Sequence, residues 1–156
     1  MPVSMPAATS WGSSHMGKWF RRYHRSMGFP DSILDLVTVT NEPRIETTDG
    51  RRSHKTIIWA VVDDGEVFIR SWKGVAGMWY QRAREHPEVR LHLDGTVLEA
   101  IAVHTPDSES IERCSQGLKR EYRPGRSLDG MLRDEVLETT LRLDPLALST
   151  EDSAAE

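Results

Sequence analysis

The sequence predicts an α+β domain, mainly β, on three observations. Two β-rich runs flank Asp64-Gly65 in "TIIWAVVDDGEVFIRSW". A second pair flanks Asp94-Gly95 in "VRLHLDGTVLEAIAV". Between them, "GVAGMWYQRAREHP" switches from strand-like to helical spacing. Asp-Gly accepts the positive φ that tight hairpins require, so each dipeptide closes a β-ribbon. About five to seven antiparallel strands with two or three short helices account for the pattern, and a small barrel with helices at its ends covers the strand edges.

Taken in order, residues 1–16 are rich in Gly, Ser and Pro and include "GSSHM", a run that resembles vector-derived sequence; the expectation is a mobile segment. "GKWFRRYHRSMG" reads as a basic amphipathic helix closed by Gly28 and Pro30, either a covering helix or a contact for an anionic surface. In "DSILDLVTVTNEPRIETTDG", Val37, Val39 and Ile45 suggest one or two strands broken at Asn41-Glu42-Pro43. Between the hairpins, Val75, Met78, Trp79 and Ala83 recur at helical spacing until Pro87. On the second hairpin, Val89, Leu91 and Leu93 alternate with polar residues, so one face is buried; the returning arm is apolar on both faces and belongs centrally. "TPDSESIERCSQGLKREY" carries Ile111, Ser115, Leu118 and Tyr122 on one helical stripe, weakened by Gly117. The loop "RPGRSLDG", a short helix and the strand "TTLRLDP" follow, with residues 17–148 forming one domain and 149–156 an acidic, mobile tail.

Composition excludes several classes. A net charge of −4 gives no global attraction to nucleic acid. No apolar run reaches the length of an integral membrane segment. Cys114 is the only cysteine, so no intrachain disulfide forms and a reduced, cytoplasmic setting is expected. The histidines at 15, 24, 54, 86, 92 and 104 lack zinc-ligand spacing, and no metal site is expected. No nucleophile elbow or phosphate-cradling loop is present.

The stretch "VFIRSWKGVAGMWYQRA" concentrates aromatic rings, cations and glycines at a strand end just ahead of a helix. Gly74 leaves backbone amides open to a close oxyanion, and the helix start beyond favours negative charge. Trp72, Trp79 and Tyr80 offer flat faces for a planar ligand. Plainer readings exist for each. Trp59 and Trp79 fall on apolar faces that packing explains. Arg70 is either a surface residue whose stem covers apolar area or a cation on a pocket rim.

With those residues in view, "TTDGRRSHKTIIWAVVDDGEVFIRSWKG…WYQRAREHPEVRLHLDG" resembles the split β-barrel flavin- and deazaflavin-dependent oxidoreductase superfamily (FMN-binding, pyridoxamine-phosphate-oxidase-like) over about residues 36–144. It is most similar to an uncharacterised bacterial branch with a "W-V-V … V-x-x-R-S-x-x-G … W-Y-x-x-A" pattern and a later Lys-x-x-Tyr, here "LKREY". The resemblance implies a six-stranded antiparallel split barrel and a homodimer. It implies a cofactor groove of Arg52, Ser53, Lys55 and Thr56 on the first element, Ser71, Trp72, Lys73 and Gly74 on the second, and Trp79, Tyr80 and Arg82 on the third. The cofactor would be FMN or the deazaflavin coenzyme (F-420). A hydride would pass to or from a small organic substrate, with Arg52, Lys55, Ser71 and Lys73 on the anionic tail, Trp72, Trp79 and Tyr80 around the ring, and Tyr80 or Tyr122 as proton donor. Two departures favour an alternative, a cofactor-free protein that binds or tailors a small molecule in the same pocket. "GRRSHKT" is shorter than the "GRKSGKPR"-like stretch of deazaflavin-using relatives, and "GMWYQRA" lacks their His-Asn pair.

Overall fold

Both Asp-Gly turns form. Asp64 and Gly65 take φ of 49° and 80°, and Asp94 and Gly95 take 48° and 91°, the doubly positive geometry that matches the twist of the flanking strands. The structure, a computed structural model, describes residues 22–23 and 28–147. The segments expected to be mobile, 1–16 and 149–156, lie outside the described residues.

In chain order the elements are β1 (Arg22–Tyr23), α1 (Asp31–Val39), β2 (Arg44–Thr48), β3 (Ser53–Ile57), β4 (Ala60–Asp63) and β5 (Glu66–Ile69). A 3-10 turn (Gly74–Ala76) leads into α2 (Met78–Glu85), followed by β6 (Glu88–Leu93), β7 (Thr96–His104) and α3 (Ser108–Glu121). Two short helices, α4 (Arg126–Met131) and α5 (Asp134–Leu137), precede β8 (Leu141–Ala147). All strand pairs are antiparallel, in the order β3-β2-β6-β7-β8-β5-β4, with β1 added to β8. This is eight strands among the described residues, not six. β3 and β4 follow one another directly, separated only by Ile58 and Trp59, and Ile58 N–H carries the β2–β3 pairing one step further by donating to Pro43 O at 2.9 Å. β3 and β4, the two ends of the sheet order, are connected along the chain by Ile58 and Trp59.

Four further expectations need correction. Residues 31–39 form a helix, not a strand. Pro30 sits at its N-cap and Asp31 in its first turn, while Ile33, Leu34 and Val37 follow helical spacing, a pattern that outweighs the β-branched valines. Arg22 and Tyr23 are paired in strand β1, opposite Ala147 and Leu146, where a basic helix was expected; the rest of that segment lies outside the described residues. On α2 the buried stripe is Trp79, Tyr80 and Ala83, whereas Val75 and Met78 are exposed because the helix starts only at Met78. The "RPGRSLDG" loop already contains most of α4.

The alternation of β6 is realised: Val89, Leu91 and Leu93 are buried. The central place expected for the apolar arm is also realised, since β7 lies between β6 and β8. One core fills the concave side, from Ile45, Leu91, Leu93, Val67, Ile69 and Leu143 to Trp79 and Tyr80. A second, smaller core lies where α3 and α4 cover the other face of β4 and β5, joining Val61 and Phe68 to Cys114, Leu118, Leu128 and Met131.

Candidate functional site

Directly after β5 the chain makes a tight turn, and the residues of that turn hold one another. Ser71 Oγ donates to Gly74 O at 2.7 Å, and Gly74 N donates to Ser71 O at 3.0 Å. Ser71 N in turn donates to Thr139 Oγ1 at 3.1 Å. Gly74 has φ of +65°, and a Cβ there would meet Glu135 O at 3.3 Å. Ser71 and Gly74 thus form and pack the turn: the hydroxyl and amide read from the sequence as donors to an anion already have partners inside the protein.

The turn aims Trp72 outward. Its indole is 48% exposed yet closely held. Nε1 donates to Ser127 O at 3.2 Å, and the ring lies against Gly130, where a Cβ would meet Cε2 at 2.6 Å. The Arg133 guanidinium lies 5.1 Å from the ring centroid, while its Nη2 donates to Trp72 O at 2.6 Å and its Nε to Gly130 O at 2.9 Å. A large aromatic side chain is thus held firmly as a wall with about half its surface open.

That wall bounds a hollow of about 230 Å³, lined by Ile57, Ile58, Trp59, Arg70, Trp72, Trp79, Ser127 and Met131. Trp72 and Trp79, two of the expected ring-binding residues, are brought together here, joined by Trp59. Arg70 lines this hollow but is no surface residue. It is 1% exposed and ties three elements together. Nε donates to Thr140 Oγ1 at 2.9 Å, Nη1 to Ser115 Oγ at 3.0 Å and Met131 O at 2.9 Å, and Nη2 to Ile111 O at 2.9 Å.

The remaining expected residues are divided. Lys55 and Lys73 are exposed, Lys73 next to Trp72 and Lys55 two residues before Ile57 on the same strand face. Lys55 stands opposite Glu46 in the β2–β3 register. Thr56 pairs with Ile45 on the other face of β3. Arg52 is exposed in the β2–β3 turn, its backbone N–H bonded to Asp49 Oδ1 at 3.0 Å. Ser53 lines a different groove with Glu46, Glu88, Glu99 and Arg90, an acidic setting unsuited to a phosphate. There Glu46 is held below the usual carboxylate range, chiefly by the hydrogen bond from His92 at 2.8 Å. Arg82 turns to Thr47, with Nε donating to Oγ1 at 2.8 Å.

The two tyrosines separate as well. Tyr80 is buried in the main core, its hydroxyl accepts from Arg84 Nη1 at 3.0 Å, and it lines none of these hollows. Tyr122 stacks on Trp59 with centroids 3.9 Å apart and planes 7° from parallel. It lines a second, polar hollow of about 360 Å³ with Thr38, Thr40, Asn41, Glu121 and Arg123, and Trp59 is the wall shared with the first. Burial raises the Tyr122 phenol above its usual value, so it keeps its proton at neutral pH.

A family model described as "Uncharacterized protein conserved in bacteria (DUF2255)" matches residues 34–143. The chain belongs to this family. The match takes in both hairpins, the Trp72 turn, α2 to α5 and the first part of β8, so every residue lining the ring-walled hollow falls inside the DUF2255 region. No curated protein matches the chain. Solved structures share the fold at low identity. Conserved hypothetical protein Rv2991 from Mycobacterium tuberculosis superposes with a TM-score of 0.58 at 17% identity, covering 76% of this chain and 80% of that one. A "Putative Pyridoxamine 5'-phosphate oxidase" from Listeria innocua gives 0.55 at 15%, covering 74% and 91%. HutZ, the haem storage protein of Vibrio cholerae, gives 0.53 at 14%, covering 76% and 91%. The split-barrel fold expected from the sequence is therefore the fold of this DUF2255 chain.

Several residues of the site were not found by reading the sequence. Ser127, Gly130, Met131 and Arg133 all come from the segment read as a loop and a short helix, yet they seat Trp72 or close the hollow. The Gly and Arg of "DGMLR" were the available signal, but nothing local shows that an indole from 58 residues earlier lies on them. Among the described residues no group of three or more His, Cys, Asp or Glu side chains could hold a metal ion, and no helix is long and apolar enough to cross a membrane.

Proposed function

We propose that this protein is an oxidoreductase that seats the ring of a flavin-type cofactor, FMN or a deazaflavin, in the hollow beside Trp72 and acts on a small organic substrate. The observation that carries the reading is the half-open indole of Trp72, held from behind by Gly130, Ser127 and Arg133. It faces a hollow whose other walls include Trp59 and Trp79. The similarity in fold to a pyridoxamine-phosphate-oxidase-like protein supports it. When bound, such a cofactor supplies hydride transfer.

This chain's own residues have the following parts. Trp72 stacks on the ring, and Trp59 and Trp79 exclude water from it. Lys73 and Lys55, exposed cations one residue from Trp72 and two from Ile57, bind the anionic tail as point charges, with Arg52 further along the same edge. Tyr122 holds a proton in the adjoining polar hollow, where the substrate's polar groups bind.

Denaturing the pure protein and comparing released absorbance and fluorescence with FMN and deazaflavin standards tests the reading, together with titration of the stripped protein with each. Lys73→Ala is expected to weaken FMN binding by roughly 1.5–3 kcal/mol, the worth of one charge-assisted hydrogen bond. Failure of both cofactors to bind refutes the redox reading. A second reading, a cofactor-free pocket for a smaller molecule, is favoured by one dimension. The hollow's 230 Å³ lies below the roughly 300–1,000 Å³ typical of sites for drug-sized ligands.

A further inference from the structure

We infer that the hollow beside Trp72 discriminates by charge, taking a planar aromatic anion in preference to its neutral counterpart, and that Arg70 is the residue that sets this preference. The hollow is the one assigned above to a ring, but the inference holds for any occupant. An anionic ring system of a cofactor and an aromatic carboxylate substrate share the chemistry.

The reasoning starts from an imbalance. Removing a guanidinium from water costs several kcal/mol unless charge and hydrogen bonding offset it. Two other shielded arginines among the described residues meet carboxylates, while a third, Arg82, bonds the Thr47 hydroxyl. Arg142 reaches Asp144 Oδ1 at 2.7 Å, and Arg113 bonds Asp63 and Glu66, each at 2.7 Å. Arg70 is the most deeply buried of them, yet among the described residues no carboxylate lies within ion-pair distance of it, and Glu112 acts on it only at longer range. Its four acceptors are two hydroxyls and two backbone carbonyls, all uncharged. An arginine has five N–H bonds, so one on Nη2 lacks an acceptor. The structure keeps the charge, and it keeps it on the wall of a hollow lined by indole rings. In such surroundings, with little water to screen it, a fixed cation acts strongly on whatever enters. The rings select flatness and the guanidinium selects negative charge. The volume limits the occupant, or the part of it that enters, to a small ring system carrying a carboxylate or an equivalent anionic edge.

The same imbalance predicts a coupling to stability. An anion that supplies the missing counter-charge binds the folded state only, so it raises the melting temperature.

The test compares 2-naphthoate with 2-naphthamide, which keep the same ring and differ in charge. Each is titrated by calorimetry into the full-length protein, and melting is followed in parallel. The expected result is at least tenfold tighter binding of the naphthoate, a rise in melting temperature with naphthoate only, and at least a fivefold loss of naphthoate affinity in Trp72→Ala. Arg70→Gln is expected to erase the difference between the two probes. If that variant does not fold, the wild-type comparison and Trp72→Ala decide the matter. Equal affinities, no binding of either probe, or naphthoate binding untouched by Trp72→Ala each overturn the inference. A parallel titration with FMN and riboflavin keeps the two proposals apart. If naphthoate binds and neither flavin does, the flavin reading fails while charge selection stands. If flavins bind and the naphthyl pair is not discriminated, charge selection fails alone.

Discussion

Gly130 and Trp72 show what one residue decides at this site. Gly130→Ala brings a methyl to 2.6 Å from Cε2 and 3.0 Å from Cζ2 of the indole. One of the two must move. The helix is anchored by buried Leu128 and Met131, whereas the indole is half in solvent, so the indole moves. The expected outcome is a melting temperature within a few degrees of wild type, because alanine favours the helix by up to about 1 kcal/mol, with about tenfold weaker binding of the hollow's ligand. Calorimetry with 2-naphthoate or FMN, beside a melt, checks both halves. Cys114 gives a second prediction. Burial pushes its thiol up to about 11, so it stays protonated and sealed at pH 8. Iodoacetamide should leave the native protein unmodified and label it stoichiometrically in denaturant; rapid labelling of the folded protein would contradict the packing of α3. At this scale the sequence was readable for type but not for partner. Ser71 and Gly74 read as groups that meet an anion, because the spacing that lets a hydroxyl meet a carbonyl three residues on also presents it to a phosphate.

The elements were legible where the signal is local. Two Asp-Gly turns, the alternation of β6 and the long apolar run of β7 are each contained in a few consecutive residues, and each forms as read. α1 was misread because Val37 and Val39 invite a strand, while the opposing signal, Ile33, Leu34 and Val37 on one helical face behind Pro30, is spread over eight residues. α3 shows the other kind of miss. Gly117 looked like a weakness in a helix, yet it is where the helix touches the sheet. A Cβ there would meet Val61 Cγ2 at 2.8 Å. Val61 is buried within β4 and has nowhere to go. The clash therefore outweighs the gain in helix propensity, and Gly117→Ala is expected to destabilise the protein by about 1–2 kcal/mol rather than stabilise it. Denaturant unfolding measures the sign directly. The Arg70 staple was invisible for the same reason. Its acceptors, Ile111, Ser115, Met131 and Thr140, lie 41 to 70 residues away, and no periodicity connects them to β5.

For the whole molecule, the same packing sets a window of pH. Glu46 is held low chiefly by the hydrogen bond from His92. Its contribution to stability is complete above the ordinary glutamate range, near 4.5, and is lost as pH falls below it. Asp49, bonded to His54, and Asp107, capping α3 through Ser110 N, are shifted in the same direction and act in the same range, though both are exposed. The basic side is governed by buried groups of the opposite kind. Cys114 is raised from 9.0 to about 11, and Tyr122 is raised above 10.0, both chiefly by burial. Between pH 9 and 11 the unfolded chain releases the Cys114 proton while the folded chain keeps it, so stability falls as pH rises through that interval. Two walls of the second core, the thiol on α3 and the phenol stacked on Trp59, therefore loosen together in base. Urea midpoints at pH 3.5, 7, 9 and 10.5 should show a plateau between 7 and 9 and a decline on either side. Cys114→Ala should lower the plateau by the cost of the cavity but flatten the decline between 9 and 10.5. An unchanged slope in that variant would assign the basic limb to Tyr122 and the stack on Trp59, the wall common to both hollows.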